Sequence, residues 1–288
     1  MKSNHSTIGE IESLIYLLDD PDPEVQESVK LRFKELGENA VPLLDQFRTE
    51  SIKIAEKKAI NEIIYNITID SLFVDFSDLI SQGIYSLSDL EEALFTLARF
   101  GNPTLRTEEY KKRLDKLTSV IGSKITSTPS LSEKMQILLK YLFRELRFRG
   151  DATHYHHIDN AYLDRVIDQR KGMPIMLSVV VLLISNRLGL PFYGVNMPIH
   201  FMLMYETPNQ AILIDPFDGG TIVTYNQCYY FLKKNGIEPR PEHLKKATPH
   251  EILIRCIRNM TISYRKINDD KKVADLNQLL RLMNEEVD

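Results

Sequence analysis

From Ile8 to Phe47 apolar residues return at helical spacing in two blocks, parted by the polar, proline-bearing stretch of residues 19 to 23. This pattern predicts a helical hairpin. Ile11, Leu14, Ile15, Leu17 and Leu18 make the first apolar stripe; Val25, Val29, Leu31, Phe33 and Leu36 make the second, which stops at Gly37. Ala40 to Leu44 begins a further helix, and residues 52 to 67 supply another. Between Leu87 and Arg149 the helical period accommodates three helices. Ser88 is the expected cap of the segment Asp89-Leu90-Glu91-Glu92, with breaks at Gly101-Asn102-Pro103 and at Thr126 to Ser130.

Beyond residue 190 the period changes. Phe192 to Val195, Phe201 to Tyr205 and Ala211 to Ile214 are short apolar or aromatic runs bounded by Pro, Asn and Gly, which predicts strands of an antiparallel sheet. Helical spacing returns over Pro249 to Asn268 and Val273 to Asn284. The expected fold class is α+β: a helical N-terminal region, a central helix packed on a small antiparallel sheet, and C-terminal helices. The expected divisions are residues 1–86, 87–150, 151–248 and 249–288.

Composition narrows the function classes. A chain of 288 residues with 43% hydrophobic and 26% charged residues reads as a globular protein with a full core. A net charge of -4 leaves no basic surplus for a phosphate backbone, so no nucleic-acid partner is expected, and Lys245-Lys246 reads as a solvated helix face. The longest apolar run, Val179 to Ile184, is too short to cross a bilayer. Met1 to Glu10 is polar and lacks the order of a signal peptide, and only Cys228 and Cys256 occur, so a reducing, cytoplasmic setting is expected.

Three elements that can carry chemistry occur in order. Arg170-Lys171-Gly172-Met173-Pro174 precedes a long apolar helix, His200 follows on an expected strand, and Asp215 ends another. A papain-type site needs a nucleophile at a helix N-terminus, a histidine brought across from the facing sheet, and a third polar group that orients the imidazole.

These residues resemble the transglutaminase-like superfamily, whose pattern is a Gly-x-Cys helix start, a helix ending in Leu-Gly-hydrophobic-Pro, a His-aromatic strand and an Asp-Pro strand. Here the helix ends at Leu188-Gly189-Leu190-Pro191, and the strands carry His200-Phe201 and Ile214-Asp215-Pro216. Counted back from Gly189, the cysteine position falls on Pro174. Asn160 to Leu163, Arg170 to Ser178, Gly194 to Phe201 and Ile214 to Gly220 are similar, more narrowly, to the SirB branch of that superfamily, which itself carries proline there. That branch usually reads Pro-Gly-His-Phe, whereas this chain reads Pro198-Ile199-His200-Phe201. The branch commonly continues into a longer helical-repeat tail, whereas this sequence ends at Asp288. Leu-Leu-x-Asp-Pro-x-Pro-x-Val over residues 17 to 25 resembles a HEAT-type repeat, a unit that must stack on something to bury both faces.

The resemblance implies a cleft lined by Asn160, Tyr162, Arg170, Pro174 and Asn196, with His200 and Asp215 as a remnant or candidate catalytic pair. Pro174 suits the first turn of a helix. Without a nucleophile there, turnover by a covalent route falls on the order of a millionfold. Ser178, one turn on, is the candidate substitute, its competing role being a bond back to a helix carbonyl. Cys228, in the Tyr225 to Leu232 segment, is expected to be buried and inert, and Tyr229, Tyr230 and Phe231 are expected in the core. Asn160 is expected to cap the helix leading to Arg170. His154, His156 and His157 are too close in sequence to share one ion, so a polar loop and no metal are expected. Gly219-Gly220 lacks the following helix and lysine of a phosphate loop, and no cofactor is expected.

The first functional expectation is therefore a non-catalytic binding or scaffolding protein with a protein, peptide or small-molecule partner. The second is a hydrolase or acyl transferase in which His200 and Asp215 activate water or Ser178. The third is a helical-repeat adaptor whose central domain is a spacer.

Overall fold

The computed structural model describes residues 2–126 and 130–284. Internal packing divides the chain into two compact units, one running to Phe76 with Ala98–Leu105, the other comprising Ser77–Leu97 and the chain from Arg106 onward.

The first unit is built from helices α1 (Lys2–Tyr16), α2 (Pro23–Leu36), α3 (Val41–Glu50) and most of α4 (Ile54–Gln82). Asp22 accepts the Glu24 N–H at 2.9 Å and Pro23 takes the first helical position, so the expected hairpin breaks where the sequence places its prolines. Ile11, Ile15, Val29, Phe33, Leu44, Ile60 and Ile64 are buried together. Leu14, Leu18, Val25 and Leu36 pack against this cluster partly buried, and two members of the expected stripes are exposed: Leu31 is 59% and Leu17 36% exposed. Val29 and Phe33, four apart, share one face of α2 while Leu31 points away, and Leu17 lies in a tighter turn that breaks the period of α1. Residues 52 to 67 fall in a helix that runs on to Gln82.

The second unit holds α5 (Leu87–Ala98, all but its last residue), α6 (Thr107–Ile125) and α7 (Leu131–Leu139), which continues into a wider turn over Lys140–Glu145. Residues 127–129 of the second expected break lie outside the described residues. The cap of α5 is Ser86 and not Ser88: its hydroxyl accepts the Asp89 N–H at 3.2 Å and Asp89 accepts the Ser86 N–H at 2.8 Å. Strand β1 (Arg149–Gly150) pairs in parallel with β2 (Lys171–Gly172), and α8 (Leu163–Gln169) lies between them in the chain.

Next comes α9 (Pro174–Arg187), followed by strands β3 (Phe192–Val195), β4 (Met202–Thr207), β5 (Gln210–Asp215) and β6 (Thr221–Val223). Then follow α10 (Tyr225–Lys234), β7 (Lys246–Ala247), α11 (Pro249–Lys266) and α12 (Asp270–Leu282). The sheet order is β6-β5-β4-β3-β7, antiparallel throughout, with Leu203 opposite Gly194 and Ile214. The divisions expected at 150 and 248 fall inside this one unit.

α9 is buried on every side from Pro174 to Ser185, as its unbroken apolar run requires, and packs on α6, α8, α11 and the central strands β3 and β4. Its C-terminus closes with Gly189 at φ +64 and the Leu190 N–H on the Ser185 carbonyl at 2.9 Å. There Arg187 meets Glu91 through two bonds of 2.6 and 2.7 Å, and Asp115 at 2.8 Å. No described helix is long and apolar enough to cross a membrane.

Candidate functional site

Asp215 is the last residue of β5, and its two carboxylate oxygens have separate tasks. Oδ1 accepts the N–H groups of Phe217 (2.9 Å) and Asp218 (3.2 Å), which folds the chain back on itself. The Gly220 N–H returns to the Asp215 carbonyl at 2.9 Å, with Gly219 and Gly220 at φ +63 and +76. Oδ2 meets His200 Nε2 at 3.0 Å. An ionised carboxylate only accepts, so Nε2 carries a proton, and in the neutral imidazole Nδ1 keeps its lone pair.

His200 lies in the turn between β3 and β4 and not on a strand, because Pro198 has no N–H for a ladder and Ile199 turns the chain at φ +58. That backbone region suits glycine and is strained for a β-branched side chain. The imidazole stands perpendicular to the Phe217 ring at 6.3 Å and tilts against Phe231 at 5.7 Å, its side chain 16% exposed. Phe217 in turn packs on Tyr155 at 5.6 Å. Gly150 makes room for this wall: a Cβ there would run into the Phe217 ring.

Pro174 is the buried first residue of α9. Ser178 has no exposed surface, and its hydroxyl donates to the Pro174 carbonyl at 2.9 Å. Cys228 is buried on α10; burial raises its thiol pKa, and the negative charge of Asp215 raises it further, so the thiolate is disfavoured.

Asn160 is not a helix cap. Its amide donates to the His154 carbonyl at 2.8 Å and its own backbone carbonyl accepts the Met173 N–H at 3.0 Å, while α8 starts from Tyr162 with no side-chain cap. The Tyr162 hydroxyl meets that of Tyr264 on α11 at 2.8 Å. Arg170 ends α8 at φ +56, donates to the Leu146 carbonyl at 3.1 Å, and lines a cleft of about 300 Å³ with Arg113, Tyr141 and Asp168. Asn196 lines another cleft, of about 430 Å³, and accepts from Arg255 Nη1 at 3.3 Å. Arg170 and Asn196 therefore line separate clefts.

Tyr230 is 70% and Phe231 36% exposed, a correction to the expected aromatic core. Helical phase turns Cys228 and Leu232 inward on α10 and Tyr230 and Phe231 outward, while Tyr229 is partly buried and packs on the core beside them. The three loop histidines separate: His154 lies near Asp151, His157 near Asp159, and His156 meets the Tyr155 ring edge-on at 4.9 Å. Among the described residues no group of three His, Cys, Asp or Glu side chains can hold a metal ion. Sequence reasoning missed Tyr155, Phe217 and Arg255. For Arg255 a signal existed, since Arg255, Arg258 and Asn259 stand at i, i+3 and i+4 on one helix face.

The chain matches the transglutaminase-like superfamily over residues 108–258, just over half its length, and belongs to that superfamily. It is 27% identical over 194 residues to a UPF0162 protein of Xylella fastidiosa (strain 9a5c), covering 65% of this chain and 69% of that protein. With UPF0162 protein PA3419 of Pseudomonas aeruginosa the identity is 32% over 173 residues, 59% of this chain and 63% of that protein. F-box only protein 21 of Mus musculus is 27% identical over 157 residues, 51% of this chain and 25% of that protein. No solved structure matches the chain.

Proposed function

We propose that this member of the transglutaminase-like superfamily is a binding protein in which a papain-type site has kept its histidine–carboxylate pair and given up its nucleophile. The observation that carries the reading is at the start of α9. Pro174 is buried at the first position of α9, the hydroxyl one turn on is buried and bonded to the Pro174 carbonyl, and the count back from Gly189 supports reading Pro174 as the replacement of the family's cysteine. The motifs similar to the SirB branch fall on the elements that build this region, and that branch carries proline at the same point. The order of residues 17 to 25 supports a HEAT-like surface on the first unit for a protein or peptide partner. Two buried, unpaired cysteines support a cytoplasmic setting.

The lone pair on His200 Nδ1 favours a second reading, in which the His200–Asp215 pair activates water as a hydrolase or acyl transferase. One experiment separates the two. Wild type, His200→Ala, Pro174→Cys and Pro174→Cys/His200→Ala are assayed for hydrolysis of p-nitrophenyl acetate and for alkylation by iodoacetamide, with the labelled residue found by mass spectrometry. The binding reading expects wild type to match the uncatalysed rate, and the thiol introduced by Pro174→Cys to alkylate faster when His200 is present. Ester hydrolysis by wild type that disappears in His200→Ala would overturn it in favour of the second.

A further inference from the structure

The cleft beside Asn196 has a feature absent from the His200–Asp215 pair: a half-buried positive charge with no negative charge to answer it. It lies where the chain leaving β3 meets α11 and is lined by Asn196, Glu251, Ile254, Arg255, Arg258 and Asn259, with Ile262 at one side. Arg255 carries five N–H donors in a planar fork, and among the described residues its hydrogen bond is the one to Asn196 Oδ1, long at 3.3 Å. The nearest carboxylate in sequence, Glu251, stands four residues earlier on α11, the spacing of a helical ion pair. It is committed elsewhere, accepting the Thr248 N–H at 2.7 Å to close the start of the helix. Burial lowers the Arg255 pKa from its ordinary value, and neighbouring Arg258 lowers it further; the groups that act in the opposite direction are Tyr155 and Cys256, neither a carboxylate. A guanidinium held this way has lost part of its water without gaining a carboxylate partner, an arrangement that a bound anion would complete.

We infer that this cleft is a binding site for a carboxylate attached to an apolar body, with the Arg255 fork taking the two oxygens and Ile254 and Ile262 flanking the hydrocarbon. A carboxylate fits better than a phosphate: it is planar, matches one guanidinium fork, and brings the single negative charge that a single half-buried arginine lacks. The apolar body follows from the two isoleucines, one of them 41% exposed at the rim. This site is distinct from the His200–Asp215 pair and does not depend on whether that pair is catalytically silent.

The test uses the full chain and three probes at low salt: N-acetylleucine, its neutral amide, and inorganic phosphate. Binding is followed by calorimetry and by amide shifts in the NMR spectrum. Saturable binding of N-acetylleucine, absence of binding by the amide, and loss of about tenfold or more in affinity in Arg255→Gln are expected, with Arg255→Lys intermediate and His200→Ala unchanged. Equal binding of acid and amide, unaltered affinity in Arg255→Gln, or no saturable response to N-acetylleucine would each overturn the proposal. Preferential binding of phosphate would overturn the carboxylate assignment. A thermal melt accompanies each variant: a large loss of stability in Arg255→Gln would mean that the charge serves the fold and would also overturn the proposal.

Discussion

Two arginines of the second unit occupy opposite circumstances. Arg187, at the end of α9, donates to both oxygens of Glu91, to Asp115 and to the Leu183 carbonyl, and these partners hold its pKa above the usual arginine value. Arg255, on α11, is also withdrawn from water but meets an amide oxygen, and its pKa is depressed. The first arrangement ties α5, α6 and α9 together and commits four of the five guanidinium N–H groups within the fold. The second carries the cost of desolvation without such a return. A charge that serves the fold is surrounded by its own counter-charges, and a charge kept for a partner is not.

Breaking the satisfied region has the largest expected effect. Glu91→Ala leaves the Arg187 guanidinium largely buried against one exposed carboxylate, at a cost of roughly 3 kcal/mol. For a unit of this size that is a fall in melting temperature of roughly 10 °C, measurable by calorimetry. Adding Arg187→Met should recover much of the loss, since removing both charges removes the stranded one. A double variant no better than the single would show that the pair acts through packing and not through charge.

The next effect tests how the His200 wall is supported. Gly150→Ala places a methyl group against the Phe217 ring and should cost roughly 2 kcal/mol, the usual penalty of overpacking. Phe217 also faces His200, so the imidazole resonances should shift along with the melting temperature. A destabilised variant with an unmoved imidazole would separate the wall from the pair.

A smaller change of opposite sign is expected at Ile199. Its φ of +58 costs roughly 1–2 kcal/mol for a β-branched residue, while glycine loses part of that advantage through the greater freedom of its unfolded chain. Ile199 is 48% exposed, so little packing is lost on its removal. Ile199→Gly should therefore raise stability by up to about 1 kcal/mol, read from urea denaturation. A loss of that size would mean that the side chain supports the His200 turn by contacts that outweigh the strain.

The pairing of His200 with Asp215 was legible in the sequence because motif order and spacing carry it: a helix, then a histidine after a short strand, then an Asp-Pro turn. α9 was legible from its unbroken apolar run. β1, β2, β6 and β7 were not, since segments of two or three residues are too short to display an alternation. The cap of α5 was misplaced for a physical reason. Ser88 and Glu91 have the spacing of a capping box, as do Ser86 and Asp89, and sequence cannot tell which acid is free. The fold decides, because Arg187 claims Glu91 from 96 residues away. The same limit hid Arg255, whose significance lies in what it does not contact.

Arg255→Met is the smallest expected effect on stability and the sharpest test of the contrast with Arg187. Methionine keeps the apolar stem of the side chain and removes a charge that burial already disfavours. If Arg255 has no counter-charge in solution, the free protein should lose no stability and can gain a few tenths of a kcal/mol, within the range of a surface substitution. Stability in the presence of N-acetylleucine should then separate the two chains: wild type gains with ligand concentration as the logarithmic linkage requires, and the variant does not. A variant destabilised as strongly as Glu91→Ala would place both arginines in the same class, and the unmatched charge would have to be reassigned to the architecture of α11.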